Sequence, residues 1–200
     1  MQVNGDENDF ELLKRFSAGD GEAFTSVVER WQKPLLNFIY RMIPERTEAE
    51  DIAQEVFLKV AAAAGSLGER AKFSTYLYRI TYNLCIDRIR RRSVRAAGAT
   101  VVSLDEAAEN DSGEKLNRQV PDPSDLPADL LREREETRTS VEKALSELPE
   151  NQRAAIMLKV YEDRPYAEIA EILGVSVPSV ESLLFRARQN LKNLLKPQRR

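Results

Sequence analysis

The stretch from Thr75 to Arg95 reads TYLYRITYNLCIDRIRRRSVR and combines residue types that bind nucleic acid. It contains one aspartate, three tyrosines and six arginines: Asp87, Tyr76, Tyr78, Tyr82, Arg79, Arg88, Arg90, Arg91, Arg92 and Arg95. Guanidinium groups neutralise phosphates, and aromatic rings stack on unpaired bases. Since the whole chain has a net charge of -3, the basic run is a local feature. It predicts a surface for single-stranded or melted DNA; alternatively, the tyrosines are half-buried core residues with solvated hydroxyls.

A second pattern, RPYAEIAEILGVSVPSVESLLFRARQNLKNLL, has the spacing of a helix-turn-helix. Gly174 is placed to end the first helix, Ser176 to cap the second, and Pro178 to occupy its first turn. The outward face of the second helix has side chains suited to bases and phosphates: Ser179, Ser182, Phe185, Arg186 and Gln189. Glu181 would repel phosphate unless it accepts a hydrogen bond from cytosine. The alternative is a solvated amphipathic helix in a bundle.

A third pattern, TEAEDIAQEVFLKVAAAA, predicts a helix that could bind a protein partner. Thr47 is the predicted N-cap, with Glu50 three residues later in a capping-box arrangement. The helix has its own apolar core stripe, Ile52, Val56 and Val60. Phe57 and Leu58 widen that stripe, with Asp51, Gln54 and Glu55 along its margin. The breadth favours a second apolar surface for a partner, and the alternative is a wholly buried central helix.

The composition excludes most catalytic and metal-binding chemistry. Histidine is absent and Cys85 is the one cysteine, so zinc clusters and His-dependent nucleophile pairs or triads are not available. No phosphate-cradling glycine loop occurs, and no acidic pair has the neighbouring groups that a nuclease or hydrolase needs. We expect no enzymatic activity, metal or cofactor, and a buried, reduced Cys85. Signal-peptide and membrane-span patterns are lacking, so we expect a cytoplasmic protein.

The chain is predicted to be all-α, with two small helical domains joined by a flexible acidic linker. Leu, Ala, Glu and Arg dominate, and glycine and proline number only 8 and 9. The helical patterns fall in residues 8–95 and 135–197. Residues 96–134 contain three prolines and lack apolar periodicity. Between Ala96 and Leu131, eight carboxylates against Lys115 and Arg118 give a net charge of about -6.

Three of these segments, in this order, resemble one known family. DIAQEVF, FSTYLYRITYNLCIDRIRRR, and LPENQRAAIMLKVYE with the helix-turn-helix ending in LLFRARQNL are similar to a bacterial extracytoplasmic-function (ECF, group IV) RNA polymerase sigma factor. The resemblance covers roughly residues 8–95 (sigma region 2) and 135–197 (sigma region 4). It implies a protein that binds core RNA polymerase, directs it to promoters through their -10 and -35 elements, and promotes DNA melting. A free-standing helix-turn-helix regulator is the alternative.

The resemblance also implies roles for individual residues. The clamp helices of the largest polymerase subunit would be bound by Asp51, Gln54 and Phe57. The -10 element would be recognised by the loop 65–72 and by Phe73, Tyr76, Asn83, Arg88, Arg91 and Arg92. The -35 element would be read by Ser182, Phe185 and Arg186. Region 4 would also contact the polymerase flap, the linker would run toward the RNA exit path, and an anti-sigma factor would be a further partner. A small-molecule substrate is not expected.

The sequence departs from the family pattern at three positions. Tyr76 stands where many relatives have tryptophan. Glu181 and Leu183 stand where many have lysine or arginine, so the usual -35 contacts of those two positions are not carried over.

Overall fold

The computed structural model describes residues 6–68, 72–96 and 128–196, and all regular secondary structure in these ranges is helical. Eight helices follow one another along the described chain: α1 (Asp6–Ser17), α2 (Gly21–Met42), α3 (Arg46–Ala63), α4 (Phe73–Ala96), α5 (Ala128–Ser146), α6 (Glu150–Val160), α7 (Tyr166–Leu173) and α8 (Val177–Leu194). The all-α prediction is confirmed.

The short helix α1 is fixed on α2 by a buried carboxylate. Asp9 is fully buried, and it accepts hydrogen bonds from Arg30 and from the Trp31 indole 3.1 Å away. A buried charge needs such partners, since without them desolvation would outweigh its burial. The turn between the helices contains Gly19 at φ 104°, and the Asp20 side chain accepts from Ala23 N at the start of α2. The hydrogen bonds of Asp9 and the cap provided by Asp20 therefore fix the α1–α2 hairpin.

Two details of α2 and α3 differ from a simple reading of the sequence. Helix α2 continues through Pro34, where a kink or restart was expected. The prediction that Thr47 caps α3 is wrong, because the helix begins at Arg46 and Glu45, two residues before Thr47, holds the N-cap position without a side-chain bond to the first turn. Thr47 thus lies within the first turn. The stripe Ile52, Val56 and Val60 is buried as the periodicity predicted.

The helix-turn-helix is present as predicted. Helix α7 ends at Gly174, which adopts the left-handed conformation at φ 67° and ψ 37°. Ser176 caps α8 by accepting from Ser179 N at 3.3 Å, and Pro178 occupies its first turn. Val180, Leu184 and Ala187 of α8 are buried against the preceding helices. The residues that signal this turn all lie within a few positions of it, so the sequence alone was enough to predict it.

Helices α1–α4 and α5–α8 pack directly against each other. Helix α4 contacts α7, and α2 contacts both α5 and α6. Helix α5 begins at Ala128, inside the segment predicted as linker, so residues 128–134 are helical. The remainder of that segment, 97–127, lies outside the described residues, as do residues 69–71 of the loop that precedes α4. Among the described helices, none has the length and apolar character to cross a membrane.

Candidate nucleic-acid and protein interfaces

An open apolar groove runs between α2 and α3. It has a volume of about 560 Å³ and is lined by residues of both helices: Phe24, Val28, Gln32, Leu36, Glu50, Ala53, Gln54, Phe57, Leu58 and Ala61. Leu58 is 70% exposed. Of the predicted polymerase-binding residues, Gln54 and Phe57 line this α2–α3 groove. Asp51 is exposed on the same helix without lining it.

The groove exists because α3 has two apolar faces. One face is buried in the core of α1–α4, and the other leaves Phe57 and Leu58 beside α2. Sequence reasoning found the α3 half and missed the α2 half. The missed signal was the spacing of Phe24, Val28 and Leu36, which repeats at helical intervals next to the buried stripe of α2.

One carboxylate lies at the polar edge of the α2–α3 groove. Glu50 accepts hydrogen bonds from Arg46 Nε at 3.0 Å and from the Tyr40 hydroxyl at 3.2 Å. The hydrogen bond from the Arg46 guanidinium lowers the pKa of the Glu50 carboxyl; desolvation opposes this shift, and the hydrogen bond from Tyr40 adds a smaller lowering effect. Glu50 is therefore charged at neutral pH. The groove thus offers a partner an apolar floor with a carboxylate at its edge that is already paired with the Arg46 guanidinium.

The predicted -10 residues at the start of α4 differ in their access to solvent. Phe73 is fully buried, and its ring lies edge-on to Phe10 and Trp31 with centroids 6.2 and 5.9 Å away. Tyr76 is half-buried, with the Arg79 guanidinium 5.9 Å from the ring centroid. Asn83 is exposed. The exposed face of α4 therefore presents Asn83 and part of Tyr76, while Phe73 supports it from the core.

The arginines at the end of α4 fall into two groups. Arg92 pairs with Glu45 at 2.5 Å and with Glu48 at 3.3 Å, and Arg88 lies 3.8 Å from Glu48. These pairs join α4 to the start of α3. The other three, Arg90, Arg91 and Arg95, are exposed. Sequence spacing had placed all five on a DNA surface and did not foresee the carboxylates beside Arg88 and Arg92.

Tyr78 and Tyr82 contact the C-terminal helices. Both rings are buried, and Tyr78 packs edge-on to Phe38. The Tyr78 hydroxyl donates to Glu162 at 2.5 Å, and the Tyr82 hydroxyl donates to Asn151 at 2.7 Å. Desolvation, reinforced by the Glu162 carboxylate, raises the pKa of Tyr78. Of the two interpretations of these tyrosines, the core reading fits their placement, with the hydroxyls paired rather than solvated.

Arg153 of α6 joins three helix ends or turns through main-chain carbonyls. Its guanidinium donates to Met42 O at 2.9 Å, Ser146 O at 2.8 Å and Leu148 O at 3.1 Å. Met42 is the last residue of α2, Ser146 is the last residue of α5, and Leu148 lies in the turn after α5. Carbonyls at helix ends lack partners within the helix and carry partial negative charge. Burial lowers the pKa of Arg153, opposed by Glu150, and arginine remains protonated in proteins. Sequence reasoning did not single out this residue.

The outward face of α8 is accessible as predicted. Phe185 is 63% exposed, and Ser182 and Arg186 are also exposed. Ser182 Oγ donates to Pro178 O at 3.1 Å, a local bond that leaves its lone pairs available to a ligand. Glu181 is exposed beside them. These side chains form one polar and aromatic surface on the second helix of the helix-turn-helix.

Leu183 lies on a different side of α8. It lines an open groove of about 600 Å³ with residues of α4 and of the start of α6: Ile86, Ile89, Arg90, Ser93, Val94, Pro149, Glu150, Asn151 and Gln152. This α4–α8 groove gives a structural reason for an apolar residue at position 183, where the side chain is half-buried. It also places the two helices that carry predicted DNA contacts on opposite walls of one groove.

Comparisons with known sequences agree with this architecture. Residues 27–95 match Sigma-70 region 2, and residues 138–191 match Sigma-70, region 4. The chain is 34% identical to the ECF RNA polymerase sigma factor SigW of Bacillus subtilis, with 92% of this chain and 95% of SigW covered. It is 32% identical to the RNA polymerase sigma-H factor of Pseudomonas aeruginosa, with 96% of this chain and 95% of the sigma-H factor covered. The ECF RNA polymerase sigma-E factor of Escherichia coli is also 32% identical, with 93% of each chain covered.

Two solved structures share the fold. CnrH in complex with the cytosolic domain of CnrY has a TM-score of 0.66 at 22% identity, covering 96% of this chain and 99% of CnrH. The sigma factor RpoE in complex with the anti-sigma factor NepR from Bartonella quintana has a TM-score of 0.61 at 23% identity, covering 88% of this chain and 98% of RpoE. With two sigma-70 regions in order and curated relatives matched along nearly their whole length, the chain belongs to the ECF sigma factors of bacterial RNA polymerase.

Proposed function

We propose that the α2–α3 groove binds the clamp helices of the largest polymerase subunit. A helical partner needs a groove with an apolar floor and a few polar groups at its edge, and this groove has Phe57 and Leu58 below and Gln54 and Glu50 beside. Asp51 lies on the same helix and would meet the partner at the rim. The observation that carries the proposal is the 70% exposure of Leu58 in a groove already lined by apolar side chains.

We propose that α8 reads the -35 element. In a helix-turn-helix the N-terminal half of the second helix enters the major groove, and this half presents Ser182, Phe185 and Arg186 to solvent. Arginine can donate two hydrogen bonds to guanine, serine can bond a base or phosphate, and the Phe185 ring can touch a thymine methyl. Glu181 would favour a cytosine amino group over a phosphate in its vicinity.

The -10 element is proposed to bind along the exposed face of α4. Asn83 has a donor and an acceptor for a base edge, Arg91 can bind phosphate, and Tyr76 can stack on a base. Phe73 supports this face from beneath. Arg88 and Arg92 pair with carboxylates in this structure, so they can bind DNA phosphates only after these ion pairs are broken. Breaking the pairs reduces the free energy that the two arginines add to DNA binding. The loop 65–72 completes the proposed surface, although its residues 69–71 lie outside the described part.

The two DNA surfaces must separate for both promoter elements to be bound. The elements lie about 25 base pairs apart, or about 85 Å along the duplex. Helices α4 and α8 line one groove in this structure, and two bodies of this size in contact span about 60 Å at most. Residues 97–127 connect them, and a stretch of about 30 residues reaches up to about 100 Å. We propose residues 8–95 and 135–197 as the two moving domains, with 96–134 as the connection, of which residues 128–134 form the first turns of α5.

The remaining assignments follow from the same proposal. Region 4 contacts the polymerase flap, the chain performs no catalysis of its own, and it acts in the cytoplasm, where the polymerase is. An anti-sigma factor is a proposed partner, because both structural neighbours were solved as complexes, RpoE with an anti-sigma factor. The alternative, a free-standing helix-turn-helix regulator, does not account for the match of residues 27–95 to Sigma-70 region 2.

In vitro transcription tests the proposal directly. Core polymerase with this chain should start RNA synthesis at a set of genomic promoters that core polymerase alone does not use. Phe57→Glu should abolish that activity, whereas Lys59→Glu, on the same helix but outside the α2–α3 groove, should retain it. Transcription that does not depend on the chain, or equal loss with both substitutions, would overturn the assignment.

A further inference from the structure

Asp9 of α1 is a buried charged residue to which none of the interfaces proposed above gives a role. Its side chain is fully buried, and its two carboxylate oxygens accept hydrogen bonds from Arg30 and from Trp31 Nε1, the latter at 3.1 Å. A buried charge costs stability unless it is paired, and an apolar side chain of similar size could fill the same space without that cost. The direction of its hydrogen bonds therefore explains this carboxylate better than stability does.

The hydrogen bond from Trp31 fixes the orientation of a ring that packs on the first residue of α4. The indole lies edge-on to Phe73, with ring centroids 5.9 Å apart and ring planes at 70°. Phe10, the residue after Asp9, contacts the same ring edge-on with centroids 6.2 Å apart. An indole can adopt several orientations about its two side-chain torsions, and a bond to a buried carboxylate selects one of them. Asp9 thus controls what the fully buried Phe73 packs against.

Helix α1 also contacts the chain at the other end of the loop 65–72. Gly65 lies so near the last residue of α1 that a Cβ atom added to it would be 3.7 Å from Ser17 Cβ. Phe73 follows the last residue of the loop directly. One helix therefore supports the chain on both sides of the loop that is proposed to recognise the -10 element.

A displacement of Phe73 would move the whole first turn of α4. Tyr76 lies one turn after Phe73, and its backbone N–H donates to Lys72 O at 3.2 Å, so these three residues move together. Side chains that bind a ligand productively must be held within about 0.5 Å of the right position. The proposed stacking of Tyr76 on a base therefore depends on the packing beneath Phe73.

We propose that Asp9 and Trp31 are positioning residues for promoter opening. Their hydrogen bond holds Phe73, and through it the first turn of α4, in the arrangement that binds the unpaired -10 strand. The inference rests on the proposed binding of the -10 element along α4. Asp9 is fully buried and acts only through its neighbours. Loss of the bond should impair DNA opening more than it impairs assembly with polymerase, because the latter uses other side chains.

The test compares a duplex promoter with the same promoter already unpaired at the -10 element, each bound by core polymerase and the full chain. Asp9→Asn keeps the shape of the side chain and removes its charge, and Trp31→Phe keeps an aromatic ring and removes the N–H donor. A 2-aminopurine base in the -10 element reports opening through its fluorescence. Each variant should lower the opening equilibrium constant of the duplex promoter about tenfold, the effect of one hydrogen bond.

RNA synthesis from the unpaired promoter should stay close to that of the wild-type chain. There the contacts of α4 no longer have to offset the unpairing of the two strands. A substitution that only reduced the amount of folded chain would lower synthesis from both promoters alike. Circular dichroism and a polymerase pull-down check that the variants remain helical and assemble. Trp31→Phe keeps the test decisive if loss of the Asp9 charge unfolds the chain.

Two further variants make the test specific. Asp20→Asn is the matched control, because it removes a carboxylate from the same α1–α2 hairpin, where Asp20 accepts from Arg15 and from Ala23 N. It should leave opening of the duplex promoter unchanged. Asn83→Ala, on the exposed face of α4, tests the proposed function separately and should reduce opening.

Three results would overturn the positioning role. They are wild-type opening of the duplex promoter by both Asp9→Asn and Trp31→Phe, an equal loss of synthesis from the duplex and the unpaired promoter, and an equally large effect of Asp20→Asn. Failure of the proposed function has a separate sign, since Asn83→Ala would then leave opening unchanged.

Discussion

Replacing Arg153 by methionine should destabilise the protein more than any surface substitution. Methionine keeps the length and apolar stem of the side chain and removes three hydrogen bonds, to Met42 O, Ser146 O and Leu148 O. Each carbonyl loses a charged hydrogen-bond donor in a buried setting. The resulting loss of stability is partly offset, because the guanidinium no longer has to be desolvated on folding. We expect a loss of about 3–5 kcal/mol in the free energy of unfolding, or about 10 °C in Tm.

Urea unfolding followed by circular dichroism measures this loss. Arg153→Lys should recover only part of it, because an ammonium group cannot reproduce the planar fork that bonds two helix ends at once. Lys143→Met, an exposed change on α5, is the control and should stay within about 0.5 kcal/mol. If Arg153→Met costs less than about 1 kcal/mol, the three carbonyls are satisfied without the guanidinium and the reasoning is wrong.

Three further predictions concern function and chemical reactivity. Arg186→Ala should weaken binding of the polymerase complex at the -35 element by about 1–3 kcal/mol in a promoter-binding assay and leave binding to polymerase unchanged; equal loss of both would mean that Arg186 is structural. Gln54→Lys should weaken polymerase binding in a pull-down without loss of helicity, and a collapse of helicity would contradict its place at the groove edge. Burial raises the pKa of the Cys85 thiol to about 12, so a thiol reagent at pH 8 should label it only after urea is added; fast labelling of the folded chain would refute its burial.

Local patterns in the sequence were enough to predict the all-α fold, the helix-turn-helix and the exposed outward face of α8. The turn at Gly174 and the cap at Ser176 depend on neighbours only a few residues away, and both were predicted correctly. The buried stripe of α3 follows from the 3.6-residue period alone. The error at Thr47 shows the limit of this approach, since several polar residues precede α3 and spacing alone does not decide which of them holds the cap.

The sequence by itself thus determined an all-α chain of the ECF sigma family, because helical periodicity and capping are local and three motifs occur in the family's order. The tertiary structure decided what several polar side chains do. Tyr78, Tyr82 and Arg153 bond to residues 84, 69 and 111 positions away. Arg88 and Arg92 likewise meet Glu48 across two helices. No local pattern encodes such pairings, because they depend on how the helix sets pack, and that packing puts tyrosines and arginines suited to DNA against protein instead.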